Sequence, residues 1–268
     1  NKLTNILAGY EILSSDYISE STFKKVIDLF HTYNETLSRV NIGPKEAEKR
    51  YKFGSVHIEK VDSQAAVFQN LELLNFVVED SWFFSSLSNI EASKIQFEDV
   101  SLFTQIEGTE ASEIKLLNSG GILNVKRSEI KELILDETTG AYFNLIDSKF
   151  ISVRLKFALK PNEGESIMIM NSKISKLTLE GATESFRVSG SDIEAIQFDG
   201  FVCKSCYFDS ISLKGVDLSG LVLLPENEAS PHYFTNIADV SCKEFTQISG
   251  WQYAIRDEQL ACGKPIPK

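Results

Sequence analysis

The stretch VSGSDIEAIQFDGFVCKSCYFDSISLKGVDLSGLVL, Val188 to Leu223, decides the fold. Counting in fives from Val188 lands on Ile193, Phe198, Cys203, Phe208, Leu213, Leu218 and Leu223, an unbroken apolar series. Side chains recur every 2 residues in a strand and every 3.6 in a helix, so neither element repeats at five. A chain that turns a corner after each short straight piece does repeat that way, and four such pieces make a coil of about 20 residues. Coils stacked at a strand spacing of about 4.8 Å bury each ladder residue on its equivalents above and below.

The five-residue step returns upstream in shorter frames: Phe68-Leu73-Val78-Phe83, Ile90-Ile95-Val100, Val125-Ile130-Leu135, Leu145-Phe150-Leu155 and Ile169-Ile174-Leu179, with Gly140 standing in one place. Between them the frame slips, where KPNEGES and EGATES read as loops bulging from a regular wall. Two residues before each central position lies a second inward position. It is small at Ala66, Ser81, Ser112, Ser128, Ser148, Ser172, Ser191 and Cys206, and large at Leu123, Leu133, Phe143, Val153, Ile167, Leu177 and Ile196. Ser128, Ser148, Ser172 and Ser191 are separated by 20, 24 and 19 residues, which suggests a four-sided coil with one side narrow enough to require serine. Residues 53–224 would then hold about eight coils.

Residues 1–52 carry a helical pattern instead. Phe23, Val26, Ile27, Phe30, Tyr33, Leu37 and Val40 form one apolar stripe on a helix that Ser21 can cap. A shorter helix is expected from Thr4 to Leu13, and Pro44 suits the first turn of a third that runs to Tyr51. These helices are expected to pack on or cap the solenoid, since a bare stripe would be a sticky patch. Residues 225–268 are expected to form a short helical cap, with Trp251 and Tyr253 plugging the open end. The reading is thus mainly β: a parallel β-helix over 53–224 between a helical segment at 1–52 and a cap at 225–268.

Charge restricts the partners. Against 27 Lys and Arg stand 38 Asp and Glu, a net of −11. Residues 1–52 hold 8 cations and 7 anions, so the net of −12 lies in 53–268. Such a surface is not expected to contact nucleic acid, which needs clustered cations. No transmembrane segment is expected, because no apolar run reaches 18 residues. The chain begins at Asn1 rather than Met, which leaves room for a signal or membrane anchor upstream.

The usual marks of catalysis are missing: there is no His-x-x-x-His, no G-x-S-x-G and no phosphate-cradling glycine loop. His31 and His57 read as exposed, and His232, after Pro231, as a loop residue. Glu79-Asp80, Glu98-Asp99, Asp136-Glu137 and Asp192 with Glu194 are the acidic pairs a polysaccharide-active β-helix would need, but outward positions of any solenoid are charged. Trp82 and Phe84 flank inward Phe83 and should point outward, as should Tyr142 and Tyr207. No catalytic, cofactor-binding or metal-binding residue is assigned, and no cofactor is expected. Cys203 and Cys206 both fall on inward positions on adjacent sides of one coil, where inert packed thiols are the leading expectation, ahead of a disulfide and then a metal or redox site. Cys242 and Cys262 are the pair to expect bridged in an oxidising compartment.

The ladder resembles the pentapeptide-repeat family, with Cys206-Tyr207-Phe208 and Val216-Asp217-Leu218 in its small-x-large places and the tail FTQISGWQYAIRDEQLACGKPIP similar to its helical ending. The resemblance covers about residues 66–223 and is strongest over 188–223. It implies a right-handed quadrilateral β-helix and a bacterial source. Many positions two before the central residue are large, and the frame slips, so a three-sheet parallel β-helix of the pectin-lyase kind stays open. The leading expectation for function is a non-enzymatic scaffold or protein-interaction domain with an unidentified protein partner, and dimerisation is left open. The alternatives are a DNA-mimic that binds a type II topoisomerase, as some members of that family do, and a polysaccharide-active enzyme. Burying a large apolar ladder residue contributes about 1.5–3 kcal/mol. Ile193→Asp should therefore make the protein insoluble on expression while Asp192→Ala leaves it soluble, which the soluble fraction of each variant checks.

Overall fold

A computed structural model of the chain describes residues 2–13, 18–44, 46, 50–157, 166–224 and 231–263, with the side chains of 3, 137 and 139–141 excepted. The fold is mainly β, with 60% of residues in strands, and is a parallel β-solenoid of about nine turns. It comprises two compact units, residues 1–132 and 133–268.

The first unit opens with α1 (Lys2–Leu13) and α2 (Glu20–Tyr33). The short β1 (Leu37–Ser38) and β2 (Asn41–Ile42) follow. Then come β3 (Tyr51–Glu59), β4 (Ser63–Gln69), β5 (Leu71–Glu79), β6 (Trp82–Ser88), β7 (Glu91–Glu98), β8 (Ser101–Glu107), β9 (Glu110–Leu117) and β10 (Gly120–Lys126), while β11 (Glu129–Ile146) begins in this unit and lies mostly in the second. Strand β3 pairs in parallel with β5, β5 with β7 and β7 with β9, while β4 pairs with β6, β6 with β8 and β8 with β10. Two named strands therefore make one coil. The register is 20 residues from Tyr51 to Leu71 and 19 from Glu72 to Glu91 and from Glu91 to Glu110.

The extra or missing residue explains the slipping frame. From Ile90 the buried positions are Ala92, Ile95, Phe97, Val100, Leu102, Thr104, Ile106 and Thr109. Alternation breaks at Ser93-Lys94, inside β7, where two successive residues fail to point inward and the chain turns a corner. From Val100 to Ile106 it is unbroken, so two five-residue sides have fused into one straight strand. The same four-residue step occurs from Phe83 to Leu87. The 19-residue coils are thus three-sided. Over Ser191 to Phe208 the buried pairs Ser191/Ile193, Ile196/Phe198, Phe201/Cys203 and Cys206/Phe208 keep the five-residue step, and the coil is four-sided. Ser112, expected inward, is exposed because the slip puts Ala111 inside. At Phe83 to Leu87 and Val100 to Ile106 the slips are sides of different length and not loops. EGATES lies within a strand that shifts register between Glu180 and Ala182, and most of KPNEGES lies outside the described residues.

Left-handed residues hold the corners. At one end of each coil in the first unit they are Lys60, Asp80, Asp99 and Asn118, and at the other Asn70, Asn89, Gly108 and Arg127. Asn, Asp and Gly dominate because they tolerate positive φ best. The N–H groups of Lys60, Asn70, Asp80, Asn89, Asp99 and Gly108 are each donated to a carbonyl one coil on, Asp80 N to Glu98 O at 3.1 Å and Asn89 N to Glu107 O at 2.9 Å among them. Asn89 Nδ2 also donates to Asn70 Oδ1 at 3.1 Å. The next corner is Gly108, where a Cβ would sit 2.6 Å from Asn89 Oδ1, so the asparagine stack itself demands glycine there.

Helix α2 closes the first coil. Its N-cap is Ser19, whose hydroxyl accepts from Thr22 N, and not Ser21. The helix ends at Tyr33 with Asn34 in the left-handed conformation, so Leu37 and Val40 leave the helical stripe. Strands β1 and β2 instead pair with β4 and begin the solenoid ahead of residue 53. Tyr51 opens β3, and most of the helix expected between Pro44 and Tyr51 lies outside the described residues. Phe23 on α2 packs on Phe53 and Phe68, with ring centroids 6.4 and 6.5 Å away. The Glu20 carboxylate accepts the Gly54 and Ser55 N–H groups at 2.7 and 3.1 Å. In α1, Gly9 lets the helix lie close on α2, since a Cβ there would be 2.8 Å from the Phe30 ring.

The second unit continues with β12 (Lys149–Phe157), β13 (Ser166–Met170), β14 (Lys173–Ser189), β15 (Asp192–Ile193), β16 (Ile196–Asp209) and β17 (Leu221–Leu223). Stacking does not stop at 224 as the sequence suggests. Strand β18 (His232–Thr235) pairs with β16, and β19 (Ala254–Arg256) pairs with β18. Among the described residues of the tail, helix is confined to α3 (Cys242–Phe245) and two single 3-10 turns. The buried Arg256 guanidinium donates to the carbonyls of Ala254, Leu260 and Ala261 and lies 5.0 Å over Trp251, which packs on Phe245. This arrangement gives three backbone carbonyls a buried charged donor.

The serines sit one residue after the corners. Ser148 N donates to Ser172 Oγ at 3.3 Å and Ser172 N to Ser191 Oγ at 3.2 Å, while Ser172 Oγ donates to Met170 O at 2.9 Å. Serine is required there because its hydroxyl pairs a buried N–H that the turning backbone cannot reach, rather than because that side is narrow. Ser172→Ala strands that donor and should cost about 1–3 kcal/mol by denaturant unfolding. Exposed Ser93→Ala should change stability by less than about 0.5 kcal/mol.

Candidate functional site

The two runs of each coil in the first unit present different outer faces. On the β3, β5, β7 and β9 side, Glu59 faces Glu79, Glu79 faces Glu98, and Glu72, Glu91 and Glu110 form a second in-register stack. Like charges directly opposite one another are destabilising. Nearby groups offset them: Lys60 Nζ lies 3.0 Å from Glu59, Lys52 Nζ 2.8 Å from Glu72, Lys94 Nζ 3.8 Å from Glu113, Gln96 Nε2 donates to Glu98 at 2.8 Å, and Arg50 pairs with Glu91. The Lys60 ammonium holds the Glu59 carboxyl below the usual carboxylate range, with His57 and His31 adding to the effect.

The other side is flat and uncharged. The fused straight strands β6, β8 and β10 turn Trp82, Phe84, Ser86, Ser101, Phe103, Gln105, Ile122 and Asn124 outward, and ionisable side chains come only at the ends of the strands, at Glu107 and Lys126. Trp82 is 60% exposed, Phe103 55% and Phe84 36%. Ring centroids of Trp82 and Phe84 are 6.0 Å apart and those of Phe84 and Phe103 6.1 Å, so the three form one aromatic cluster in water. The patch is uncharged in a chain of which 24% of the residues are charged.

A cleft of about 520 Å³ lies between α2 and β3, lined by Glu20, Lys24, Asp28, His31, His57 and Glu59 among others. At its rim His57, Glu59 and Glu79 bring their ligand atoms within 4.8 Å of one another, with His57 Nε2 3.2 Å from Glu79 Oε2. Among the described residues this is the one such group. No sequence motif announces it, since 57, 59 and 79 are joined by the coil register and not by spacing. The 20-residue period, set against Glu79, is the signal that could have found it.

The remaining acidic pairs disperse. Asp80 and Asp99 are corner residues, Asp136 lies 3.5 Å from Lys156, and Asp192 lies 3.6 Å from Lys173. The carboxylate stack and the aromatic cluster occupy different sides of the coil, so the arrangement a polysaccharide-active site requires is not assembled in this unit. Tyr142 is exposed as expected, while Tyr207 is half-buried under Arg187 and beside Tyr233.

His31 and His57 are exposed. His232 corrects the sequence reading, being fully buried in β18. Cys206 N donates to its Nδ1 at 3.1 Å, so Nε2 carries the proton and donates to Leu224 O at 2.8 Å. The imidazole bridges two backbone segments that strand pairing leaves open. The cysteines correct it again: both are inward, as expected, but Cys203 and Cys206 are bonded to each other and not packed as thiols. They flank the corner at Lys204-Ser205, which brings inward positions of adjacent sides to a Cα separation of 5.8 Å, within reach of a bridge. Cys242 is bonded to Cys262.

No known protein family, curated protein or solved structure matches the chain. No helix among the described residues is long and apolar enough to cross a membrane. Burial separates the two disulfides: Cys203 and Cys206 are 0% exposed, and Cys242 and Cys262 are half-buried. Under native conditions a phosphine reductant should open Cys242–Cys262 first and leave Cys203–Cys206 closed until the protein unfolds, as read by alkylation and peptide mass spectrometry.

Proposed function

We propose that the chain is a non-enzymatic β-solenoid scaffold that docks a protein partner on the flat face of β6, β8 and β10. The single observation that carries this reading is the exposed Trp82, Phe84 and Phe103 cluster in an uncharged setting. Three strands about 4.8 Å apart and seven residues long present roughly 300 Å². That is the size of an interface centre rather than a whole interface of about 800 Å² per partner. Large aromatics at such a centre contribute the most to affinity, and rigid strands hold them in place at no ordering cost on binding. The pentapeptide-repeat resemblance belongs to the same proposal. The five-residue sides over 188–223 support it, and the fused sides of the 19-residue coils depart from it.

A photo-reactive phenylalanine analogue placed at Phe103 tests the reading in extract of the source cells. It should give a discrete protein adduct that is lost on Trp82→Ser, while the same analogue at Lys115, on the charged side, gives none. Equal adducts from both sides, or adducts indifferent to Trp82→Ser, would remove the proposal.

A further inference from the structure

We propose that His57, Glu59 and Glu79 form a divalent-cation site of the zinc class at the mouth of the cleft between α2 and β3, which His31 also lines. Three observations converge on it. The first is the ligand set: one imidazole and two carboxylates with ligand atoms within 4.8 Å, His57 Nε2 and Glu79 Oε2 already 3.2 Å apart. In a tetrahedral site with metal–ligand bonds near 2.1 Å, donor atoms lie about 3.4 Å from each other. Side-chain rotation closes the remaining distance, because all three residues stand on the outer surface of paired strands. The second is electrostatic. The parallel register sets Glu59 opposite Glu79, a like-charge pair that a cation between them would turn from repulsion into attraction.

The third is the cleft itself. Its floor is β3 and its wall is α2, which the Glu20 carboxylate pins to Gly54 and Ser55. His31 lines the same cleft. Of the other charged lining groups, Lys24 and Asp28 are paired with each other at 3.2 Å. A cation there would tie α2 to the first coil, so occupancy would stabilise the closure of the solenoid's first turn. Lys60 is the built-in competitor: its ammonium sits 3.0 Å from Glu59 and must swing away.

The test is titration of the full chain, stripped with chelator, with zinc chloride by calorimetry, alongside its thermal midpoint. One equivalent should bind and raise the midpoint. His57→Ala and Glu79→Gln should each weaken binding roughly tenfold or more. Lys60→Asn, which suits the left-handed corner and removes the competing charge, should tighten it several-fold. Glu98→Gln, one coil further along the same carboxylate stack, should leave it unchanged. Circular dichroism of each variant confirms that the fold is retained, which exposed positions predict. Absence of binding, binding that survives His57→Ala, or equal loss in Glu98→Gln would overturn the site in favour of diffuse attraction to surface carboxylates. The proposal is independent of the aromatic face, since Trp82→Ser should not alter zinc binding.

Discussion

A left-handed corner residue whose N–H reaches a carbonyl one coil away is the interaction on which the rest of the structure depends. It occurs as Asp80 to Glu98, Asn89 to Glu107, Asn171 to Ser189 and Ser210 to Thr235, in coils of different length and composition. Each such bond fixes the turn and the register together. A corner that slipped by one residue would swing every following side chain to the opposite face. The asparagine and serine side chains at or beside the corners reinforce the same register, as Asn89 does on Asn70 and Ser172 beneath Ser148. Buried phenylalanines then stack within that frame, with Phe68, Phe76, Phe83 and Phe97 in mutual ring contact in the first unit.

Given the corners, coil length becomes the variable that shapes the surface. Twenty residues allow four sides, each with two inward rungs. Nineteen remove one outward residue and straighten two sides into a single strand. In the first unit that straightening produces the flat face of β6, β8 and β10, and the aromatics lie on it. The bent run of β3, β5 and β7 carries the charged residues, and its parallel register sets like beside like. The same register that builds the wall therefore creates the carboxylate stacks, together with the His57 cluster that meets one of them. Each consequence follows from pairing a residue with its counterpart 19 or 20 positions later.

Legibility varied along the chain for identifiable reasons. The ladder from Val188 to Leu223 was readable because its coil has four equal sides, and all eight residues of the series are buried. Upstream, the four-residue step from Phe83 to Leu87 broke the count. That step moves Ser112 to the outside, and the register shift between Glu180 and Ala182 gives EGATES the look of a loop. His232 and the Cys203–Cys206 bridge were misjudged because both depend on what lies across a corner or one coil away, which local composition does not report. The outward direction of Trp82 and Phe84 was legible from simple alternation about Phe83. That they form one cluster with Phe103 was not, since contact across coils requires the coil length.

The amino-acid sequence by itself determined the class of fold, the inward ladder, the acidic surface and the exposure of the aromatics, because each depends on periodicity along a single run of chain. Tertiary structure alone decided the number of sides in each coil, where the solenoid begins and ends, the pairing of the cysteines and the meeting of His57 with Glu59 and Glu79. The physical reason is common to all four. Parallel stacking makes neighbours of residues about 20 positions apart, and one residue more or less in a coil changes which neighbours those are.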